Sequence, residues 1–201
     1  MSQFIESIKL KDGQIYLLSY HEARMNRTRR EVLGLFEPIS LFVLLQPFLK
    51  KYPIGLFKIR VLYDHVIDTI EIHPYTQRTI NHLCIVKGNL DYSYKTTDRK
   101  KLQDLYSQRG DCDDILIAKE GLITDSYYAN VAFYNGQTWD TPYTPLLKGI
   151  QRQYLLEQKV IQVKDIQVKD LNDYKQVKLF NAMMDWAHCP IIDTINIFEG
   201  T

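Results

Sequence analysis

Cysteine is scarce in this chain of 201 residues: Cys84, Cys112 and Cys189 are widely spaced and odd in number. A disulfide framework is therefore not expected, and without a Cys-x-x-Cys pair or a His/Cys cluster no zinc-like spacing arises. A dominant charge is missing too. Lys and Arg total 25 against 24 Asp and Glu, a formal charge of +1, so no field favours nucleic acid or a membrane surface as partner. Long hydrophobic runs are also lacking. The longest, from Ile39 to Leu45, is far too short to span a bilayer. The opening Met-Ser-Gln-Phe-Ile-Glu has no apolar core of the signal-peptide kind, which makes the cytoplasm the expected location. What remains is ordinary for a folded protein, 45% hydrophobic and 24% charged, enough for a real core in one large domain or two small lobes.

The first half reads as a small α+β lobe. Phe4 to Leu10 alternates as a strand, Asp12-Gly13 is a hairpin turn, and Gln14 to Ser19 is the partner strand. His21 to Leu33 predicts a helix on which Arg27, Arg29 and Arg30 form a solvated face. Pro38 suits the first turn of a second, buried helix that weakens at Pro47. Leu56 to Tyr63 and Val66 to His73 are β-rich and expected to pair antiparallel, followed by a short strand at Leu83 to Val86. A lobe boundary is placed after this strand, dividing the chain into 1–87 and 88–201.

Beyond it the reading is a helix from about Asp98 to Gln108 and strands at Asp114 to Ala118 and Leu122 to Thr124. Asn130 to Tyr134 and Gln137 to Asp140 flank Asn135-Gly136, the strongest hairpin signal in the chain. A helix opens at Gly149 and runs to about Gln158. Strands at Val160 to Val168, Gln176 to Phe180 and the tail Ile191 to Phe198 complete the expectation. The repeated Ile-Gln-Val-Lys-Asp at Ile161 and Ile166 is too short for a repeat architecture.

Three ordered segments carry the candidate chemistry. Lys95, flanked by Tyr92 and Tyr94 and preceding a helix opened by Thr97 or Asp98, offers an amine able to condense with an aldehyde. Asp125 offers an acid, and Gly149-Ile150-Gln151 offers backbone N–H groups at a helix start, where phosphate binds. Arg24 adds a cation. Together these are what a pyridoxal phosphate site asks of its protein. His21 reads as a packed or capping histidine, and His65, His73, His82 and His188 share no triad or metal spacing.

The order of Tyr20-His21-Glu22-Ala23-Arg24, Tyr94-Lys95-Thr96-Thr97-Asp98-Arg99, Ile123-Thr124-Asp125 through Asn130, and Leu146-Leu147-Lys148-Gly149-Ile150-Gln151-Arg152 resembles the class IV (fold type IV) pyridoxal phosphate enzymes. The family includes branched-chain and D-amino acid aminotransferases and 4-amino-4-deoxychorismate lyase, and the likeness runs from about Phe4 to Pro190. It implies a two-lobe, D-amino acid aminotransferase-like α+β fold lacking the usual first strand, with the cofactor between the lobes. By the same resemblance Lys95 is the Schiff-base lysine and Arg24 is the phosphate-binding arginine of a His-x-x-Arg motif. Asp125 stands where the family usually has a glutamate facing the pyridine nitrogen. The backbone amides of Ile150 and Gln151, after Gly149, hold the phosphate, and Asn181 joins the cofactor group. Ser7, Arg60 and Tyr94 are weaker substrate-side candidates.

Tyr128-Ala129-Asn130 and Asn181-Ala182-Met183-Met184 look most like the lyase branch. That branch implies release of pyruvate from 4-amino-4-deoxychorismate to give 4-aminobenzoate for folate synthesis. A class IV amino acid transaminase is the second expectation, and a non-catalytic pyridoxal phosphate-binding or interaction protein the third. In each enzymatic case the substrate is a small amino compound and the resemblance implies a homodimer. The chain departs from the family pattern at several points. Its first strand carries Ile5-Glu6-Ser7 for Phe-Glu-Thr, Lys148 replaces a proline, and Tyr63-Asp64-His65 replaces Ser-Arg-Gly, leaving Arg60 as a substitute carboxylate-binding arginine.

Overall fold

The computed structural model describes residues 3–199. The chain forms two compact units. The first runs to Gln77 and takes back Tyr94–Asp98; the second comprises Arg78–Ser93 and everything from Arg99 onward. The boundary expected at 87/88 is thus corrected at both ends. The strand at Leu83 pairs within the second unit, because its parallel partner lies there, and the Lys95 segment belongs to the first.

The first unit is a four-stranded antiparallel sheet with two helices. Strands β1 (Phe4–Lys11) and β2 (Gln14–Ile15), helices α1 (Leu18–Leu33) and α2 (Leu41–Leu49), and strands β3 (Leu56–Tyr63) and β4 (Ile67–Pro74) follow in chain order, and the sheet order is β2-β1-β3-β4. β1 pairs with β3 over its whole length, from Phe4 opposite Tyr63 to Lys11 opposite Leu56. Its alternation buries Phe4, Ile8 and Leu10 with Met25, Leu41, Leu45, Ile59 and Val61, each side chain contributing about 1.5–3 kcal/mol. One residue breaks the apolar character of that inward face: Glu6, with no exposed surface.

Several local expectations change here. Leu17 takes a left-handed φ of 52°, which turns the chain out of β2 and starts α1 at Leu18, three residues before His21. Pro38 is not in α2. Asn26 of α1 holds the backbone of Ile39 through both its side-chain atoms, and Glu22 accepts the N–H of Leu41, so the helix opens only after Ser40. Arg29 is buried rather than solvated, donating to the carbonyls of Glu37 and His65. The inward stripe of α1 is His21, Arg24, Met25, Thr28 and Arg29, a helical spacing filled mostly with polar side chains.

The second unit holds two sheets. Strand β5 (Leu83–Lys87) pairs parallel with β6 (Asp114–Lys119), β6 antiparallel with β7 (Leu122–Ser126), and β8 (Asn130–Tyr134) with β9 (Trp139–Pro142). Then come β10 (Gln162–Lys164), β11 (Gln176–Phe180), β12 (Ile191–Asp193) and β13 (Ile197–Glu199), giving sheet orders β13-β5-β6-β7 and β10-β9-β8-β11-β12. Leu116, Ile123, Val131, Phe133, Val177, Leu179 and Ile192 form one core that draws on both sheets. Helices α3 (Lys100–Tyr106) and α4 (Ile150–Glu157) complete it.

The Asn135-Gly136 hairpin is as expected, with Asn135 Oδ1 accepting the N–H groups of Gln137 and Thr138. α3 starts later than expected, because Thr97 donates its N–H to Gln3 instead of entering a helix. The expected strand from Val160 shrinks to Gln162–Lys164, and the tail splits into β12 and β13, which join different sheets. The disulfide expectation is overturned as well. Cys84 and Cys112, 28 residues apart, are joined, since the β5–β6 pairing sets Cys84 opposite Ile115, close to the turn carrying Cys112. Cys189 is free and buried. No helix among the described residues is long and apolar enough to cross a membrane.

Candidate functional site

Lys95 lies on a short strap laid against β1. The N–H of Ile5 donates to the Lys95 carbonyl at 2.9 Å, Phe4 bridges to Thr96, and Thr97 donates to Gln3. These bonds fix the backbone around the amine and leave the lysine half-buried. Its charge is felt by His21 of α1, whose proton affinity it lowers.

Glu6 of β1 is bonded to the same His21. Its Oε2 accepts from His21 Nδ1 and from Arg24 Nη2, both at 2.6 Å, and its Oε1 accepts from Arg24 Nε at 2.8 Å. Burial alone would push the Glu6 carboxyl up. The Arg24 guanidinium and the His21 donor outweigh it and hold the pKa down at about 2. For His21, burial wins: the imidazole is driven toward its neutral form, further helped by the charges of Arg24 and Lys95. A carboxylate only accepts, so Nδ1 carries the ring proton. Nε2 is then a bare nitrogen, buried and with no hydrogen-bond partner. The sequence reads His21 as a packed or capping histidine, and it is buried here; Glu6 was given no role at the site from sequence. The available signal was Glu6 occupying an inward position between Phe4 and Ile8.

The weaker candidates have other partners. Ser7 lies directly opposite Arg60 across β1 and β3, on the sheet face away from Glu6 by strand alternation. Arg60 donates to Glu71, its cross-strand neighbour on β4, at 2.6 Å. The structure therefore does not bring Ser7 and Arg60 together with His21 and Arg24. Tyr94 packs edge-on against Phe4 and donates to Glu31.

In the second unit Asp125 belongs to β7 and not to a turn, and it is buried. Oδ1 accepts from Asn130 Nδ2 at 2.6 Å and Oδ2 from the Leu147 N–H at 2.9 Å. Burial raises its pKa to about 7, and the donors and the charge of Arg152 offset that only in part. Asn130 also donates to the Leu147 carbonyl at 2.9 Å. Asn130, quoted from sequence as part of a motif but given no partner there, ties β8 and Asp125 to the approach of α4. Gly149 caps α4, and Ile150, Gln151 and Arg152 form its buried first turn. Arg152 donates through Nη2 to the Pro142 carbonyl, while its buried Nε has no partner. Asn181 folds back on its own turn, accepting from Met183 N–H and donating to the Tyr128 carbonyl.

Chemically, the first unit presents an amine and a buried ionic clamp of Glu6, His21 and Arg24. The second presents a carboxyl poised between its two protonation states and a helix start whose N–H groups favour an anion.

The amino-transferase class IV family model matches residues 3–192. A protein of Haemophilus influenzae, named only as uncharacterized, is 32% identical over 189 residues, covering 91% of this chain and 98% of its own length. A solved structure from Haemophilus somnus, provisionally named a 4-amino-4-deoxychorismate lyase, matches with a TM-score of 0.85 at 32% identity, over 91% of this chain and 97% of that one. Another from Mesorhizobium loti, provisionally named an amino-acid aminotransferase, has a TM-score of 0.82 at 21% identity, over 96% and 99% of the two chains. Both share the α+β class IV fold expected from the sequence. The chain belongs to the aminotransferase class IV family of pyridoxal phosphate enzymes.

Proposed function

We propose that this chain is a lyase that converts 4-amino-4-deoxychorismate to 4-aminobenzoate and pyruvate, a step of folate biosynthesis. The observation that carries the reading is its 32% identity to the Haemophilus somnus protein provisionally given that name, over nearly the full length of both chains. The Tyr128-Ala129-Asn130 stretch adds support, with Asn130 built into the Asp125 anchor.

The residues present suit pyridoxal phosphate. A half-buried lysine sits near a buried Glu6–His21–Arg24 group, a carboxyl has its pKa near 7, and a glycine opens α4 where a side chain would not fit. When bound, the cofactor supplies the aldehyde and an electron sink at the amine-bearing carbon. Lys95 provides the amine for that aldehyde. With the substrate bound, the free Lys95 amine would take the proton from the amine-bearing ring carbon. Breaking the bond from ring carbon to enolpyruvyl oxygen then releases pyruvate and leaves an aromatic ring. Asp125 would hold the proton at the pyridine nitrogen. Arg24 would offer the phosphate a cation, and the N–H groups of Ile150 and Gln151 would offer it helix-start donors. The working form is a homodimer; Phe36 and Ile54, 78% and 82% exposed in the first unit, offer apolar surface of the kind buried on association.

The test is the purified protein in a coupled pyruvate assay with 4-amino-4-deoxychorismate and no keto-acid acceptor. Pyruvate release that disappears in Lys95→Ala, together with the yellow colour, supports the lyase. Amino transfer that needs an acceptor replaces it with a transaminase. A yellow protein inert in both assays makes it a carrier.

A further inference from the structure

We infer that Glu6 is the positioning residue for the cofactor's phosphate end: it sets the direction of the Arg24 guanidinium, and so gives the chain its preference for a phosphorylated ligand. The inference rests on the cofactor reading above.

Glu6 stands at a position that alternation reserves for an apolar side chain, flanked inward by Phe4 and Ile8. A buried carboxylate there is costly unless every lone pair in reach is used. All three donors that meet it come from one turn of α1: His21 Nδ1, Arg24 Nε and Arg24 Nη2. The two arginine bonds form a fork along the Nε–Nη2 edge. That geometry fixes the guanidinium plane and turns its opposite edge away from Glu6. The bond from His21 fixes the proton on Nδ1, which leaves Nε2 as the nitrogen aimed elsewhere, buried and without a partner. Glu6 thus aligns the anion-recognising group of this helix turn, the Arg24 guanidinium, while Glu6 itself never reaches a ligand.

A plain structural role, in which Glu6 only neutralises a buried arginine, predicts lost stability and no change in ligand preference. The experiment measures dissociation constants of the apoprotein for pyridoxal phosphate and for pyridoxal by absorbance titration. It compares wild type, Glu6→Gln, Glu6→Asp and Arg24→Lys, with thermal melts alongside. Glu6→Gln keeps the shape and removes the charge; Glu6→Asp keeps the charge and retracts it. Both are expected to weaken pyridoxal phosphate about tenfold or more, the scale of a lost charge-assisted hydrogen bond, and to leave pyridoxal within about twofold. Arg24→Lys alters the phosphate contact itself and sets the full size of the selective loss, against which the Glu6 variants are read. Equal weakening toward both ligands, or none, overturns the inference while the cofactor reading stands. A wild-type protein that binds neither ligand overturns both.

Discussion

Asn130 Oδ1 fills the space beside Gly149: a Cβ built on that glycine would lie 2.0 Å from it. The glycine's φ of −68° and ψ of 151° are open to any residue, so the requirement is room and not backbone freedom. Asn130 cannot swing aside cheaply, because it holds Asp125 and Leu147 together.

Gly149→Ala is therefore expected to destabilise the protein by about 1–3 kcal/mol, the usual cost of forcing atoms into a packed site. Asn130→Ala should also destabilise, by losing two buried hydrogen bonds. The double variant should cost clearly less than the sum, since the second change opens the space the first one needs. Denaturant midpoints for the three proteins check this, and strict additivity would refute it.

The acid–base profile of stability should show two opposed slopes. Asp125 has its pKa raised from 3.8 to about 7, so the folded protein keeps a proton that the unfolded chain releases. Its contribution is complete below the ordinary value and is lost as pH climbs to about 7. Glu6 is lowered from 4.5 to about 2. Its contribution is complete above the ordinary value and vanishes as pH falls toward 2. Urea midpoints of the apoprotein across this range should decline at both ends, and Asp125→Asn should flatten only the neutral limb.

Reduction of the Cys84–Cys112 bond should lower stability without abolishing the fold. The closed segment is 28 residues apart at its ends, a loop worth up to about 3–4 kcal/mol on chain-entropy grounds. In denaturant, thiol titration should find one reactive cysteine, Cys189, before reductant and three after it. Three at the outset would remove the crosslink.

Arg29 and Arg30 are neighbours with different expected consequences. Arg29 is buried and supplies donors to the Glu37 and His65 carbonyls, so Arg29→Ala should cost about 1–3 kcal/mol through two lost charge-assisted hydrogen bonds and a lost buried stem. Arg30 is exposed at the last turn of α1, and its alanine variant should stay within about 0.5 kcal/mol of wild type. Thermal unfolding of the pair decides it.

What was legible in the sequence was local. Alternation located β1, β-rich composition located β3, Asn135-Gly136 marked its hairpin, and Gly149 marked the start of α4. The order of short motifs around Arg24, Lys95, Asp125 and Gly149 was enough to identify the family. Partner choice between distant strands was not legible. Nothing in Ile191 to Phe198 says that its two ends join different sheets, and an odd cysteine count conceals a pair that only the β5–β6 register brings together. Charges also misled. Arg29 reads as solvated and Glu6 as incidental, yet helical spacing with His21 and Met25, and strand spacing with Phe4 and Ile8, put both inside. Where a charged side chain keeps the period of a buried face, the period is the better guide.

The Lys95 strap makes the first unit discontinuous along the chain. Its sheet is translated by residue 74, but the five residues that lie along β1 emerge only after β5, which belongs to the other unit. During synthesis the edge of β1 must wait, its Gln3 carbonyl and Ile5 amide unmet, until the ribosome has delivered Tyr94–Asp98. Gene fragments ending at residue 77 or 87 would carry a complete-looking sheet and still lack the amine on which the proposed chemistry depends. Any attempt to divide this protein into separately expressed halves should keep the strap with the amino-terminal piece.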